Sequence, residues 1–455
     1  MAVAGSDRQS GVFDHMRSRR WLALGIGVKR YVLLIFVGTV VLALALAMFL
    51  AFVYRTIDVP GPAGTLIYVI TLQFIEHPFR ELVVATVGFG AVLGGAYLLG
   101  RTVLSVVVGP EDNIAEILYQ NSRLQRGPRV VSIGGGTGLS VLLRGMKEYT
   151  NNITAVVTVA DDGGSSGRLR EEFGLAPPGD VRQCLAALAD SESLMNEVMQ
   201  YRFTRGEGLQ GHSLGNLLIA ATTDLHDRDL QGGIDALSEV LRVRGRILPS
   251  TLSLIGLAAE LEDGQIVRGE SRLRSAGQPI SRVFIEPRHV ASNGSAVKEI
   301  LAADMVVLGP GSVYTSVIPN LLVGDIATAL RASGAIKVYV CNVATEPGET
   351  DDFGPAEHVY CCTHHMGPNL FQYMLANSNV NVELPADTGA VLVETDPRTQ
   401  VELLDAGVQV VLADVVDPND PRHHDPQALA RALIDLYEQA SHKRSAPVVA
   451  LATSG

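Results

Sequence analysis

The sequence predicts a doubly wound, mostly parallel α/β sheet preceded by two membrane-spanning helices. Three observations carry that reading. Val130, Val131 and Ile133 form an apolar run into Gly134-Gly135-Gly136-Thr137-Gly138, after which Leu139, Leu142, Leu143 and Met146 recur on one helical face. A β-branched run, Ile153–Val159, follows and ends in Asp161-Asp162-Gly163-Gly164-Ser165-Ser166-Gly167. Strand, glycine turn, helix, strand, acidic turn is how a parallel α/β sheet begins. Near the N-terminus, Tyr31–Tyr54 is 24 residues without a charge, long enough to cross a bilayer.

The N-terminal part divides by charge. Residues 1–30 form a basic tail with Arg8, Arg17, Arg19, Arg20, Lys29 and Arg30. Residues 31–108 read as a membrane anchor with spans over 31–54 and 82–104; Leu82–Gly100 is a second uncharged run, 19 residues long. The first run is too long for a signal peptide, and no small-residue cleavage site follows it. Thr65–Ile75 is apolar but short, as in an interfacial or re-entrant piece. The loop between the spans has only Arg55 and Arg80, so the positive-inside rule places both ends of the anchor in the cytoplasm. Gly90 and Gly94 make a small-xxx-small spacing suited to a homodimer contact.

Residues 109–128 are a polar linker, 129–440 the α/β domain and 441–455 a loosely ordered tail. The 455-residue chain is 47% hydrophobic, ample for one large core. A formal charge of −12 excludes nonspecific nucleic-acid binding, which needs a basic face. Four cysteines in so long a chain are no disulfide framework and fit a reducing compartment.

Within the domain, loops that end parallel strands share one edge of the sheet, where ligands bind. A glycine loop opening a helix offers free N–H groups to a phosphate, so Gly134, Gly135, Gly136, Thr137 and Gly138 are candidate ligand contacts. Leu139 occupies the third position of a G-x-G-x-x-G fingerprint, and no Lys-Ser/Thr follows, so neither a plain dinucleotide motif nor a P-loop is present. Asp161 and Asp162, with Gly163, Ser165 and Ser166, end the next strand, where a carboxylate accepts from ribose or sugar hydroxyls. The same two aspartates are the only candidates for catalysis. Arg168, Arg170 and Arg182 can pair with a phosphate or with those aspartates.

Further along, Asp180 is placed to cap a helix over Val181–Ala189, or to meet ligand. Gly211-His212-Ser213-Leu214-Gly215-Asn216 leads into an apolar helix, Leu217–Thr222, and Asn216 can read an amide or hydroxyl. No carboxylate or nucleophile at useful spacing supports His212 as a general base. Leu252–Glu270 reads as a hairpin-rich insertion with Asp263-Gly264 as its turn. Asp304–Leu308 is a second buried strand, followed by Gly309-Pro310-Gly311-Ser312 and by Tyr314 and Thr315. Tyr314 suits stacking on a base or sugar, or plain core filling. Lys337–Val343 is another strand, ending at Asn342, with Thr345-Glu346-Pro347-Gly348-Glu349-Thr350 as its loop. Four such loops are expected to converge on one crevice.

His358, Cys362 and His365 share one helical face, with Cys361 and His364 beside them. No second ligand pair accompanies them, so no metal site is assigned. Val408–Val416 is the last strand. Arg422-His423-His424-Asp425 is a loop capping a final helix over Pro426–Glu438, with Asp425 at the N-cap.

The motifs IGGGTGLS (133–140), TVADDGGSSGRLR (158–170), PPGDVR (177–182), GHSLGNLL (211–218), RGRILPST (244–251), LGPGSVYTSVIPNLL (308–322) and CNVATEPGET (341–350) stand in one order. On these, residues 129–367 resemble the gluconeogenesis factor family, itself related to the CofD-like 2-phospho-L-lactate transferases. The resemblance implies a Rossmann-like nucleotide-sugar-binding protein of bacteria, a regulator rather than a settled enzyme, linked to the cell envelope and cell shape. It implies a UDP-sugar such as UDP-N-acetylglucosamine as ligand, envelope-synthesis enzymes as partners, and the inner membrane as location with the large domain cytoplasmic. The alternative it implies is a phospholactate-type transferase using Mg²⁺. A nicotinamide-dependent oxidoreductase is disfavoured by Leu139 and by the lack of an acid–base pair.

Overall fold

The computed structural model describes residues 122–445, apart from 191, 274, 386 and 387, together with isolated positions between 36 and 97. Two units are present, Met1–Arg123 and Leu124–Gly455. From Leu124 the chain runs β1 (Val130–Gly134), α1 (Gly136–Met146), β2 (Ile153–Val157), α2 (Gly164–Phe173), α3 (Gly179–Leu188), α4 (Glu192–Gln200), α5 (Leu214–Leu225), α6 (Leu230–Val240) and β3 (Arg246–Pro249). A small antiparallel sheet follows, of β4 (Gly256–Leu261), β5 (Ile266–Arg268) and, after α7 (Glu270–Leu273), β6 (Ile280–Glu286). The main sheet resumes through α8 (Gly294–Ala302), β7 (Met305–Leu308), a π turn (Val313–Val317), α9 (Ile318–Leu321), α10 (Ile326–Ala332) and β8 (Ile336–Val340). It ends with α11 (Pro355–Met366), β9 (Tyr373–Asn377), α12 (Pro397–Asp405), β10 (Gln409–Ala413) and α13 (Pro426–Ser445).

Every residue of β1, β2, β7 and β8 is buried. That is why these segments read as near-continuous apolar runs rather than alternating ones: helices cover both faces of a parallel sheet. The strand order is β10-β9-β8-β7-β1-β2-β3, and all neighbours are parallel. The chain therefore winds outward from β1 through β2 to β3, returns to lay β7 against β1, and winds outward the other way. Connections reverse direction between β1 and β7, and in such sheets the crevice at that switch point takes the ligand. The predicted doubly wound sheet is thus present.

Several local expectations shift. The domain begins at Leu124, because Leu124 is buried and its carbonyl accepts from the Asn151 N–H. β2 stops at Val157, two residues before the apolar run does, which lengthens the loop carrying the aspartates. Asp180 does not cap α3. That helix opens at Gly179 after Pro178, so Asp180 falls inside its first turn. α5 opens at Leu214, capped by the Ser213 hydroxyl, which accepts from the Asn216 N–H at 3.2 Å. Asp425 does cap the last helix, accepting from the Ala428 N–H at 2.7 Å.

The predicted hairpin insertion is the small sheet, with Asp263-Gly264 as its turn; its third strand, β6, lies beyond the span read from sequence. It packs on the main core through Leu257, Leu261, Val283 and Ile285. The Val283 N–H donates to His365 Nε2 at 2.9 Å, so the other ring nitrogen carries the proton and donates to the Cys361 carbonyl at 2.8 Å. His358 Nδ1 donates likewise to the Gly354 carbonyl. The histidines that looked metal-like from sequence use these nitrogens on backbone.

The two predicted spans, 31–54 and 82–104, lie largely outside the described residues. The described positions within them are helical, and the Phe36 and Phe89 rings meet edge to face at 5.5 Å between centroids. Among the described residues, nothing lies within 4 Å of where a Cβ would stand on Gly90 or Gly94. Among the described residues no single helix is long and apolar enough to cross a membrane.

Candidate functional site

A cleft of about 380 Å³ opens at the switch point, over the C-terminal ends of β1, β7 and β8. Its floor is the glycine loop, Gly135 to Gly138. Gly135 caps α1 without any side-chain hydrogen bond, and no acidic residue stands in the first turn. The first N–H groups of this 11-residue helix carry no side-chain cap, at the positive end of the helix dipole, an arrangement that favours negative charge.

The opposite wall is Pro310-Gly311-Ser312 and Ser316, from the loop after β7. Asn342, at the end of β8, organises the third wall. Its Oδ1 accepts from the Gly311 N–H at 3.1 Å and its Nδ2 donates to Glu346 Oε1 at 3.0 Å, so one amide aligns two loops. Ser312 donates to the Glu349 carboxylate and accepts from the Thr315 N–H.

Of the residues expected from sequence, Gly135, Gly136, Thr137, Gly138, Pro310, Gly311, Ser312 and Asn342 line the cleft. Gly134 and Gly309 lie just behind it: the Gly134 carbonyl accepts from Thr158 and Asn320, and the Gly309 N–H donates to Ile133. Three of the four loops converge as expected. The loop after β2 does not join them; it lies across the glycine loop, where the Asp180 carboxylate comes against Gly135 and that of Asp161 against Gly179.

The residues of that loop are largely engaged with one another. Asp161 Oδ1 accepts from the Gly163 N–H at 2.8 Å. Asp162 Oδ1 accepts from the Ser271 N–H at 3.0 Å, which fastens the small sheet's helix α7 to the main domain. Ser165 Oγ accepts from both the Ser213 N–H and Asn216 Nδ2. With its lone pairs filled, its proton goes to His212 Nδ1 at 3.1 Å, which leaves His212 protonated on Nε2. Burial, then the nearby Arg168 guanidinium, lower the pKa of that histidine. Ser166 also accepts from Asn216 Nδ2, which commits that nitrogen to this internal network, while Asn216 Oδ1 is buried without a hydrogen-bond partner.

Tyr314 and Thr315 require correction as ligand contacts. Tyr314 is 4% exposed, donates from its hydroxyl to the Ile280 carbonyl at 3.1 Å, and packs edge to face on Phe353 and His365. The π turn rotates this ring into the core against β6 and turns Ser316 toward the cleft instead. Thr315 is buried beside it, at 1% exposure.

Thr345 and Glu346 line the cleft from the loop after β8, as expected, while Thr388, Ala390, Arg422, His423 and His424 also line it and were not expected there. The last three come from the loop before α13, whose Asp425 cap suggested a purely local role. Asp420 holds Arg422 through paired bonds of 2.9 Å and His423 at 3.0 Å. The Arg422 hydrogen bond keeps the Asp420 carboxyl at a pKa of about 2. His424 Nε2 donates to the Cys341 carbonyl at 3.1 Å, and burial holds its pKa at about 4. The cleft thus combines a helix N-terminus and an arginine on one side with a carboxylate, Glu346, on another.

The family model described as 2-phospho-L-lactate transferase CofD matches residues 130–416. The gluconeogenesis factor of Bacillus subtilis is 44% identical over 317 residues, 69% of this chain and 99% of that one. A Nostoc sp. relative, provisionally described as a gluconeogenesis factor, is 43% identical over 444 residues, 93% of each chain. The crystal structure of a Bacillus halodurans protein superposes with a TM-score of 0.65 at 43% identity, covering 68% of this chain and all of its own. With a doubly wound sheet and a glycine-loop cleft at its switch point, this chain belongs to the gluconeogenesis factor family of CofD-like proteins.

Proposed function

We propose that the protein is a membrane-anchored regulator that binds a UDP-sugar, UDP-N-acetylglucosamine, in the switch-point cleft and relays its level to envelope-synthesis enzymes, and so to cell shape. The observation that carries the reading is the uncapped N-terminus of α1 facing Pro310-Gly311-Ser312 across the cleft. The pyrophosphate lies on the N–H groups of Gly136 to Gly138. Glu346, rather than Asp161, accepts from sugar or ribose hydroxyls, because it is the carboxylate on the cleft wall. A volume of about 380 Å³ falls within the range of small-molecule sites, about 300–1,000 Å³.

Calorimetry on the unit from Leu124 tests this. UDP-N-acetylglucosamine is expected to bind, and Glu346→Gln to weaken it about tenfold through lost charge-assisted bonds. Asp161→Asn is expected to leave affinity unchanged. The reverse pattern would move the ligand to the other side of the glycine loop, and no binding to the wild type would end the proposal.

The family model's description supports a second reading, a phospholactate-type transferase. The Mg²⁺ it implies finds no fit. Asp161 and Asp162 are directed to different backbone partners, and no group of three or more potential metal ligands occurs among the described residues. No step is therefore derived through a metal.

Anchoring rests on the uncharged runs of 31–54 and 82–104 and the contact between Phe36 and Phe89. The full chain is expected to stay with the bacterial inner membrane through a carbonate wash, with the large domain protected from protease added outside the cell. Release into the wash, or digestion from outside, would refute the anchor or its orientation. Gly90 and Gly94 supply a face for a homodimer.

A further inference from the structure

Asn320 is fully buried, at 0% exposure, yet it carries a primary amide. Its Nδ2 donates to the Gly134 carbonyl at 3.0 Å and to the Ser316 carbonyl at 2.7 Å. Both amide protons are thereby used, while Oδ1 is buried without a hydrogen-bond partner. An orphaned buried acceptor costs about 1–3 kcal/mol, a penalty that an apolar side chain of similar size would avoid. Against that penalty stand the two hydrogen bonds that the amide donates.

What it contributes follows from where its two acceptors lie. Gly134 ends β1 and leads directly into the glycine loop; Ser316 sits in the π turn after β7 and lines the facing wall. β1 and β7 are adjacent, with Ile133 paired to Leu308. The last backbone bond between them runs from the Gly309 N–H to the Ile133 carbonyl at 2.9 Å, and beyond it the two chains leave the sheet. The two N–H groups of one planar amide diverge at a fixed angle, so bonding both carbonyls sets the spacing of the loops from behind. π turns are rare and concentrate at functional positions. Here one exposes a backbone carbonyl to a side chain four residues on.

We propose that Asn320 is the positioning residue of the cleft: it holds the glycine loop and the π turn at the separation that lets one diphosphate reach both. The inference rests on the nucleotide-sugar reading for its ligand, but the loop spacing can be measured without one.

Three measurements test it on the unit from Leu124, which is compact by itself. In the wild type, NMR should show Asn320 side-chain protons exchanging as slowly as the β1 amides, with through-bond couplings to the Gly134 and Ser316 carbonyl carbons. Rapid exchange would overturn the geometry, and this result stands even if every variant misfolds. In Asn320→Leu, amide exchange at Gly136 to Gly138 and at Ser316 should accelerate about tenfold or more while β9 and β10 are unchanged, and UDP-N-acetylglucosamine should bind about tenfold more weakly.

In Asn320→Asp, the introduced carboxylate faces two carbonyl oxygens and has a raised pKa. Its affinity relative to wild type should recover as pH falls from 8 to 6, because protonation restores one donor. The leucine variant should show no such recovery. A merely structural asparagine would lower the melting temperature in both variants with no local change in exchange and no pH-dependent rescue. If the wild type fails to bind the nucleotide-sugar while the leucine variant loosens both loops, the functional reading falls and the positioning role stands.

Discussion

Gly138→Ala is expected to weaken nucleotide-sugar binding about 100-fold while the sheet stays folded. A Cβ at this position would lie 2.5 Å from the Pro310 carbonyl oxygen, 2.7 Å from its carbon and 2.9 Å from the Gly311 nitrogen. All three are backbone atoms of the facing loop, so no side chain can swing aside. The two loops must part by about 1 Å to restore ordinary contact, and packed interiors resist even a methylene. Overpacking of this kind costs about 1–3 kcal/mol of stability, which a domain of this size tolerates. Binding suffers more, because the opened cleft no longer brings both loops to one pyrophosphate. Losing one or two charge-assisted hydrogen bonds, each worth about 1.5–3 kcal/mol, lowers affinity about 100-fold. Gly294→Ala is the control, since nothing lies within 4 Å of its Cβ position. Calorimetry with UDP-N-acetylglucosamine and a melt of each variant decide it. Near-wild-type affinity in Gly138→Ala would place the ligand elsewhere.

The glycine loop was legible in the sequence because its physics is local. An apolar strand running into Gly134–Gly138 and then a 3.6-residue repeat allows few structures other than strand, tight turn and helix. The loops after β7 and β8 could be read the same way. What could not be read was how each loop is oriented once formed. Tyr314 follows a glycine turn just as a stacking residue would, but the π turn adds one residue to the helical repeat and directs the ring to Ile280. Asp161 and Asp162 have the composition of a ligand loop, yet their partners are the Gly163 and Ser271 amides, the second of which is 109 residues away.

The opposite failure occurred at Arg422, His423 and His424. Asp425 accounts for the helix start locally, and sequence spacing alone offers no reason to carry the preceding residues to a glycine loop nearly 300 positions upstream. The packing of α13 on α1 does so: a Cβ on Gly145 would lie 1.8 Å from the Pro426 carbonyl oxygen, so the two helices touch backbone to backbone there. That close approach pulls the loop before α13 over the cleft. Residue type was visible in the sequence, and the long-range contact that gives the residue its role was not.

Acid should unfold the α/β unit through its histidines before its carboxylates. His424, His358, His365 and His212 all have pKa values lowered chiefly by burial, that of His424 to about 4. In each case the fold holds the neutral ring, while the unfolded chain protonates near pH 6.5. Stability is therefore complete above about pH 6.5 and is lost as pH falls toward the folded-state pKa, because the unfolded chain takes up protons first. For His424 alone, a shift from 6.5 to about 4 corresponds to about 3 kcal/mol lost by pH 4. The depressed carboxyls, Asp420 and Asp396, also lose their contribution as pH falls, but only below about 4, where the unfolded chain's carboxylates take up protons first. Urea midpoints of the unit from Leu124 should thus fall steadily between pH 7 and pH 4.5. His424→Gln keeps a donor for the Cys341 carbonyl without a titrating ring. It should be somewhat less stable than wild type at pH 7.5, yet lose distinctly less between pH 7 and pH 4.5. If both proteins lose stability in parallel, the buried His424 ring is not what the acid attacks.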